Sequence, residues 1–181
     1  MDDKLLIWIQ EIRRYNRRLH LVSRSMESAL EKQAEDTMDL MKNIREPNMA
    51  DLGAGSGFLA IPYKVVYPDS RLWLIERSQK KAVFLRHVID LLELKDIELI
   101  DFDPNERAAG PFPAVMSRSF SPRETLPGVV MSVISVPGRF YYFSTGAPAP
   151  IDHPAFTLKK RFIKECKGYD LNLELYEVTS R

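Results

Sequence analysis

The stretch Met49-Ala50-Asp51-Leu52-Gly53-Ala54-Gly55-Ser56-Gly57-Phe58 constrains this chain more than any other. Glycines at alternate positions leave a backbone without side-chain walls, so another molecule can approach it closely. Apolar residues lead into the loop, and the segment Ala60 to Tyr67 behind it reads as a helix. Together they make a strand–loop–helix cradle for a nucleoside-like ligand. The spacing is G-x-G-x-G, whereas a dinucleotide fingerprint reads G-x-G-x-x-G and aims a helix N-terminus at a pyrophosphate. Here an acid, Asp51, stands two residues before the first glycine. A carboxylate beside the loop repels a phosphate and welcomes a cation. S-adenosylmethionine has no phosphate and carries a sulfonium and an ammonium, so it is the cofactor that this loop predicts.

Length and charge set the frame around the loop. A chain of 181 residues, 45% hydrophobic, fits one globular domain with a sizeable core. The formal charge is +1, from 26 basic and 25 acidic residues, so the chain carries no global polyanion-binding signature. The basic residues are unevenly placed, however. Lys4, Arg13, Arg14, Arg17, Arg18 and Arg24 face only Asp2, Asp3 and Glu11 in the first 25 residues. The lone Cys166 excludes an intramolecular disulfide framework and suits a reducing cytosol. His20, His87 and His153 are scattered, with no metal-site spacing. Two aspartates at the start are wrong for a secretory signal, and no apolar run approaches the ~20 residues of a membrane helix. A cytoplasmic monomer without metal or membrane is expected.

Taken in order, residues 3–19 read as an amphipathic helix with Leu5, Trp8, Ile9, Ile12 and Leu19 on its apolar side. A second helix is predicted over about 26–43, capped by Ser25. From Pro47 the pattern alternates between strands and helices, which indicates a mainly parallel sheet. Strands are predicted at 49–52, 71–76, 97–100, 114–117 and 139–143, with helices over 60–67 and 78–92. A weak helix interrupted by Pro127-Gly128 and a closing antiparallel hairpin (156–163 with 171–178) complete seven strands. Residues 1–46 form a helical extension on a single domain whose α/β core is 47–181. Glu76 ends the second strand, 19 residues after Gly57, where doubly wound folds place an acid against ribose hydroxyls. The loop after the third strand, with Asp103, Asn105 and Glu106, falls where a bound adenine would be covered.

Several motifs agree on one family. The chain resembles the bacterial small-subunit ribosomal RNA methyltransferase G family, also called glucose-inhibited division protein B, over about residues 8–146. Trp8 followed by Tyr15-Asn16-Arg17-Arg18-Leu19 is similar to the family's N-terminal helix, and Asp36-Thr37-Met38 to its Asp-Ser-Leu. The glycine stretch, continued to Pro62, resembles the family's first motif. Glu76-Arg77-Ser78-Gln79-Lys80-Lys81 with Phe84-Leu85 resembles the next, and Ser117-Arg118-Ser119 stands where the family has Ser-Arg-Ala. Four features depart from the pattern: Gln33 replaces a histidine, Leu59-Ala60 replace Pro-Gly, Asp103-Pro104-Asn105-Glu106 lack an arginine and an acid, and Thr145 replaces a lysine.

The resemblance implies a Rossmann-like class I methyltransferase fold with helices on both faces of the sheet. It implies methyl transfer from S-adenosylmethionine to N7 of a guanine in 16S ribosomal RNA, so ribosomal RNA or the small ribosomal subunit is the partner. Asp51, Gly53, Ala54, Gly55, Gly57, Phe58, Glu76, Arg77 and Arg118, with the loop residues Asp103, Asn105 and Glu106, are then expected around the cofactor. Asn16, Arg17, Asp36 and Arg118 are expected toward RNA, with Arg118 as the residue at the reacting centre. Two other readings stand beside this one: a cofactor-binding homologue with weak or lost methylation, and a small-molecule methyltransferase.

Overall fold

The structure, a computed structural model, describes residues 2–101, 109–118, 122–147 and 149–180. Helix α1 (Asp3–Leu19) matches the predicted amphipathic element. Asp2 caps it by accepting the Lys4 N–H at 2.8 Å, and Leu5, Trp8, Ile9 and Ile12 are fully buried. Each such side chain contributes about 1.5–3 kcal/mol of transfer free energy, so the stripe and not helix propensity holds α1 in place.

The second predicted helix is two helices, α2 (Arg24–Glu27) and α3 (Leu30–Met41). Ser23, two residues before Ser25, caps α2 by accepting the Met26 N–H. The break has a local cause. The Ser28 hydroxyl donates to the Ser25 carbonyl at 2.9 Å and Ala29 leaves the helical region at φ −120, ψ 15. A short polar side chain thus competes with the backbone for a helical acceptor.

The remaining elements are β1 (Asn48–Leu52), α4 (Ala60–Val66), β2 (Arg71–Ile75), α5 (Gln79–Leu91), β3 (Ile97–Ile100), β4 (Phe112–Arg118), α6 (Leu126–Val133), β5 (Ile134–Thr145), β6 (Phe156–Cys166) and β7 (Tyr169–Val178). Helix α6 is continuous, because Pro127 falls in its first turn, where no N–H is required of it. The seven strands form one sheet in the order β3-β2-β1-β4-β5-β7-β6. The first five are parallel, and β7 inserts antiparallel between β5 and the edge strand β6. Helices α3, α4 and α5 cover one face and α1 packs outside them, through a core that includes Trp8, Phe58, Ile61, Phe84 and Val88. Helix α6 and the segment carrying Ile151 and Ala155 cover the other face. The parallel order reverses direction between β1 and β4, and such a switch point opens a crevice at the carboxyl ends of the strands.

Candidate functional site

That crevice is built from the glycine loop upward. Asp51 lies in β1 opposite Leu74 and Met116. Beyond β1 the chain turns, and the N–H groups of Gly53 and Ala54 both bond the Ile75 carbonyl at 2.9 and 3.1 Å. The loop is therefore pinned to the end of β2. Next, the Gly55 N–H donates to Glu76 Oε2 at 2.8 Å, while the Ser78 N–H donates to Oε1 at 2.7 Å. Glu76 thus ties the glycine loop to the N-terminus of α5, and its oxygens retain lone pairs for further donors.

Two glycines need their freedom here. Gly55 stands at φ +59, and a Cβ added to it would meet only the Gly53 carbonyl, at 3.7 Å. Gly57 stands at φ +80 and is closely packed, since a Cβ would come within 2.9 Å of Ile61 Cγ1 and 3.3 Å of Leu85 Cδ2. Gly57→Ala should therefore cost about 1–3 kcal/mol from backbone strain and overpacking. Urea unfolding measures this directly, and an unchanged midpoint would refute the packing account.

The N-terminal extension closes the loop from outside. Trp8 Nε1 donates to the Ser56 carbonyl at 2.8 Å, and its ring sits 5.4 Å from that of Phe58. The Arg118 guanidinium lies 4.6 Å over the opposite partner of this stack, the Phe58 ring. Its Nη2 donates to Gln33 Oε1 at 3.1 Å, whereas Nη1 is buried and has no partner among the described residues. Burial lowers the Arg118 pKa below its ordinary value, partly offset by the nearby Tyr169. Asp51 is likewise buried, with 2% exposure, and its Oδ2 has no partner among the described residues. Burial pushes its carboxyl up to about 8; the Ala60 N–H opposes the shift and the charge of Glu76 adds to it.

A cleft of about 380 Å³ collects these groups. Asp51, Gly53, Ala54, Gly55, Phe58, Glu76, Arg77 and Arg118, all expected from the sequence, line it. Gly57 supports it from behind through α4 and α5. Asp103, Asn105 and Glu106 lie outside the described residues. Leu21, Val22, Ser23, Met26 and Lys81 also line the cleft and were not singled out for it. The sequence carried no signal for the first four, because only the turn after α1 brings them there.

The expected RNA contacts divide. Arg17 is exposed on α1 and is not part of the cleft lining. Asn16 is buried; it donates to Glu27 at 2.9 Å and accepts the Val22 N–H at 3.0 Å, which braces the Leu21–Ser23 wall of the cleft. Asp36 is fully buried as well, bonded to Lys32 at 2.5 Å, to the Tyr169 hydroxyl at 2.9 Å and to Lys164 at 3.3 Å. Both were expected toward RNA and are instead held inside the fold, because their side chains turn inward to bond these polar partners. Thr145 is exposed at the end of β5. Among the described residues no group of three or more His, Cys, Asp or Glu is placed to hold a metal. No helix among them is long and apolar enough to cross a membrane.

The cleft can be set beside known proteins. A family model described as rRNA small subunit methyltransferase G matches residues 1–149. The ribosomal RNA small subunit methyltransferase G of Geotalea uraniireducens (strain Rf4) is 30% identical over 137 residues, covering 73% of this chain and 63% of that protein. Its counterpart in Polynucleobacter asymbioticus is 38% identical over 128 residues, covering 65% and 57%. The chain thus matches about six-tenths of the length of these two curated relatives. In fold it is similar to M. jannaschii TYW2 in complex with AdoMet, with a TM-score of 0.61 at 15% identity over 81% of this chain and 76% of that one. The extent of the family match, together with a glycine cradle at the sheet's switch point, places the chain in the rRNA small subunit methyltransferase G family.

Proposed function

We propose that this chain binds S-adenosylmethionine in the cleft and directs methyl transfer to N7 of a guanine in 16S ribosomal RNA. The observation that carries the reading is the buried, unpartnered Oδ2 of Asp51 at the foot of the glycine loop. A buried carboxylate oxygen without a donor is costly unless a ligand supplies one, and an ammonium does so. The cradle fits the rest of the cofactor in kind. Glycine backbone lies open to the cleft, and Glu76 has spare acceptor capacity for ribose hydroxyls. When bound, S-adenosylmethionine supplies an electrophilic methyl group on a cationic sulfonium.

The residues of the chain then have positioning work to do. Guanine N7 carries an in-plane lone pair, so no base is needed to free it, and orientation with exclusion of water provides most of the rate. Arg118, held by Gln33 and stacked on Phe58, keeps one guanidinium nitrogen for guanine O6 or a phosphate. The aromatic ring beneath it and the wall of Leu21 and Val22 keep water from the reacting face.

A second reading is favoured by one observation. Thr145 offers no charge at the end of β5, and Gln33 holds Arg118 through a neutral amide. A charged hydrogen bond contributes about 1.5–3 kcal/mol, so the missing charge at position 145 slows turnover by roughly ten- to a hundredfold. Tritiated methyl transfer to small ribosomal subunits and to bare 16S RNA tests both readings. Slow incorporation that rises with Thr145→Lys, alone or with Gln33→His, is expected. Mass spectrometry of the product should show N7-methylguanosine. A different modified nucleotide would sink the N7 assignment, and rapid turnover by the unmodified chain would sink the reading of a weakened homologue.

A further inference from the structure

Next to the cleft, the surface between α1 and α5 holds a groove of about 500 Å³ that the proposed chemistry does not use. Tyr15, Leu19, Val83 and Phe84 give it an apolar floor, with Arg18 and Lys80 at its sides. Val83 is 61% exposed on the face of α5. Tyr15 stands edge-on to Phe84 at 6.1 Å and to His87 at 5.7 Å, so its ring is fixed by packing.

The charge around this floor is of one sign. Arg14, Arg17 and Arg18 share an adjoining hollow with Tyr15, and Arg24 lies farther along the same side. Glu11 is occupied by His87 at 2.5 Å and by Arg14 at 3.5 Å, and Glu27 receives Asn16. Among the described residues no ion pair engages Arg17, Arg18, Arg24, Lys80 or Lys81. In a chain of net charge +1 this is a marked concentration of unneutralised cations.

An apolar floor with a cationic rim suits a single-stranded nucleic acid, whose bases are flat and apolar on their faces and whose backbone is anionic. A duplex keeps its bases stacked and presents none to such a floor. A second copy of this chain is disfavoured, because a two-fold contact would set the same arginines against each other. The groove and the cleft are lined by consecutive residues at the start of α5. Lys81, next to Lys80, lines the cleft, and the chain leaving α1 supplies the Leu21–Ser23 wall.

We propose that this groove holds an unstacked, non-reacting base of single-stranded RNA, with its flanking phosphates on Arg18 and Lys80, while a neighbouring nucleotide enters the cleft. The inference rests on the reading of RNA as the substrate. It is tested on the full chain by fluorescence anisotropy with a short labelled single-stranded RNA, across a salt series. Val83→Asp, an exposed change that places a carboxylate in the groove, should weaken RNA binding about tenfold and leave S-adenosylmethionine affinity by calorimetry unchanged. Lys80→Gln should reduce the slope of log affinity against log salt by about 0.7, the loss of one single-strand phosphate contact. Parent-like RNA binding by Val83→Asp overturns the groove, as does a parent chain that binds no single-stranded RNA. A concentration-dependent dimer that Val83→Asp abolishes in sedimentation would assign the groove to a second copy and overturn it too. Methyl transfer measured alongside separates the two failures. Transfer that persists with insensitive groove variants sinks the groove alone, whereas groove-dependent RNA binding without cofactor binding or transfer sinks the methyltransferase reading and leaves the groove.

Discussion

Asp51→Asn is expected to weaken S-adenosylmethionine binding at least a hundredfold and to make the ligand-free protein more stable above pH 6. Asp51 is 2% exposed, one of its oxygens has no partner, and its carboxyl titrates near 8 in the fold instead of near the ordinary ~3.9. A group whose folded pKa is raised contributes its stability fully below the unfolded value and loses it as pH rises through the folded value. This carboxyl therefore makes the ligand-free protein progressively less stable from about pH 4 to about pH 8. The asparagine variant, which cannot ionise, lacks that decline. Ligand binding runs in the opposite sense. A bound ammonium requires the carboxylate, so affinity should climb between pH 6 and 8, with close to one proton released per ligand near pH 7. Losing a charged hydrogen bond and its Coulomb attraction in a partly desolvated site amounts to about 3 kcal/mol or more, which is the hundredfold stated. Calorimetry in buffers of differing ionisation enthalpy reads both effects. Equal affinity at pH 6 and 8.5, matched by the asparagine variant, would remove Asp51 from the site.

The second large effect is expected at a residue that does not line the cleft. Asp36→Ala should lower stability by about 3 kcal/mol, because breaking a buried ion pair strands its partners. In a domain of this size that corresponds to a fall in Tm of roughly 6–12 °C. Burial raises the Asp36 pKa, yet donors from Lys32, Cys166, Tyr169 and Lys164 together outweigh it and hold the carboxyl below its usual range. The stability it contributes is thus present above about pH 4 and is lost as pH falls through the depressed folded value. Lys164 also reaches Asp39, so the carboxylates of α3 are clasped by the β6–β7 hairpin. One turn before Asp36, Gln33 holds Arg118. Urea unfolding of the parent and the variant at pH 7 and at pH 3.5 checks the prediction. A loss below about 1 kcal/mol at pH 7 would show that the network is not structural, and would return Asp36 to the list of RNA contacts.

The linkage between α3 and the hairpin bears on how family membership is read. The family match ends at residue 149, so β6 and β7 lie beyond it. Even so, Tyr169 and Lys164 reach back to α3, and Tyr169 opposes the lowering of the Arg118 pKa by burial. On the opposite face, Glu174 is fully buried between Arg161 at 2.6 Å and Arg123 at 3.3 Å, with the Tyr176 hydroxyl at 2.8 Å. The hairpin is therefore fastened to both layers that flank the sheet, and it does more than close an edge.

The sequence by itself determined what depends on short-range chemistry. The spacing of Asp51 and the three glycines, the acid Glu76 at the end of β2, the stripe of Leu5, Trp8, Ile9 and Ile12, and the β–α alternation are set by local sterics and periodicity, and each stands where it was read. Tertiary structure decided what depends on partners distant in the chain. Nothing local distinguishes an exposed asparagine or aspartate from a buried one. Asn16 and Asp36 became braces only because Val22, Tyr169 and Lys164 arrived as partners. The oxygen of Asp51 and the nitrogen of Arg118 that lack a partner among the described residues do so because the fold buries both atoms. The insertion of β7 between β5 and β6 likewise follows from sheet pairing across the whole fold, since either strand of a hairpin can in principle take the inner place.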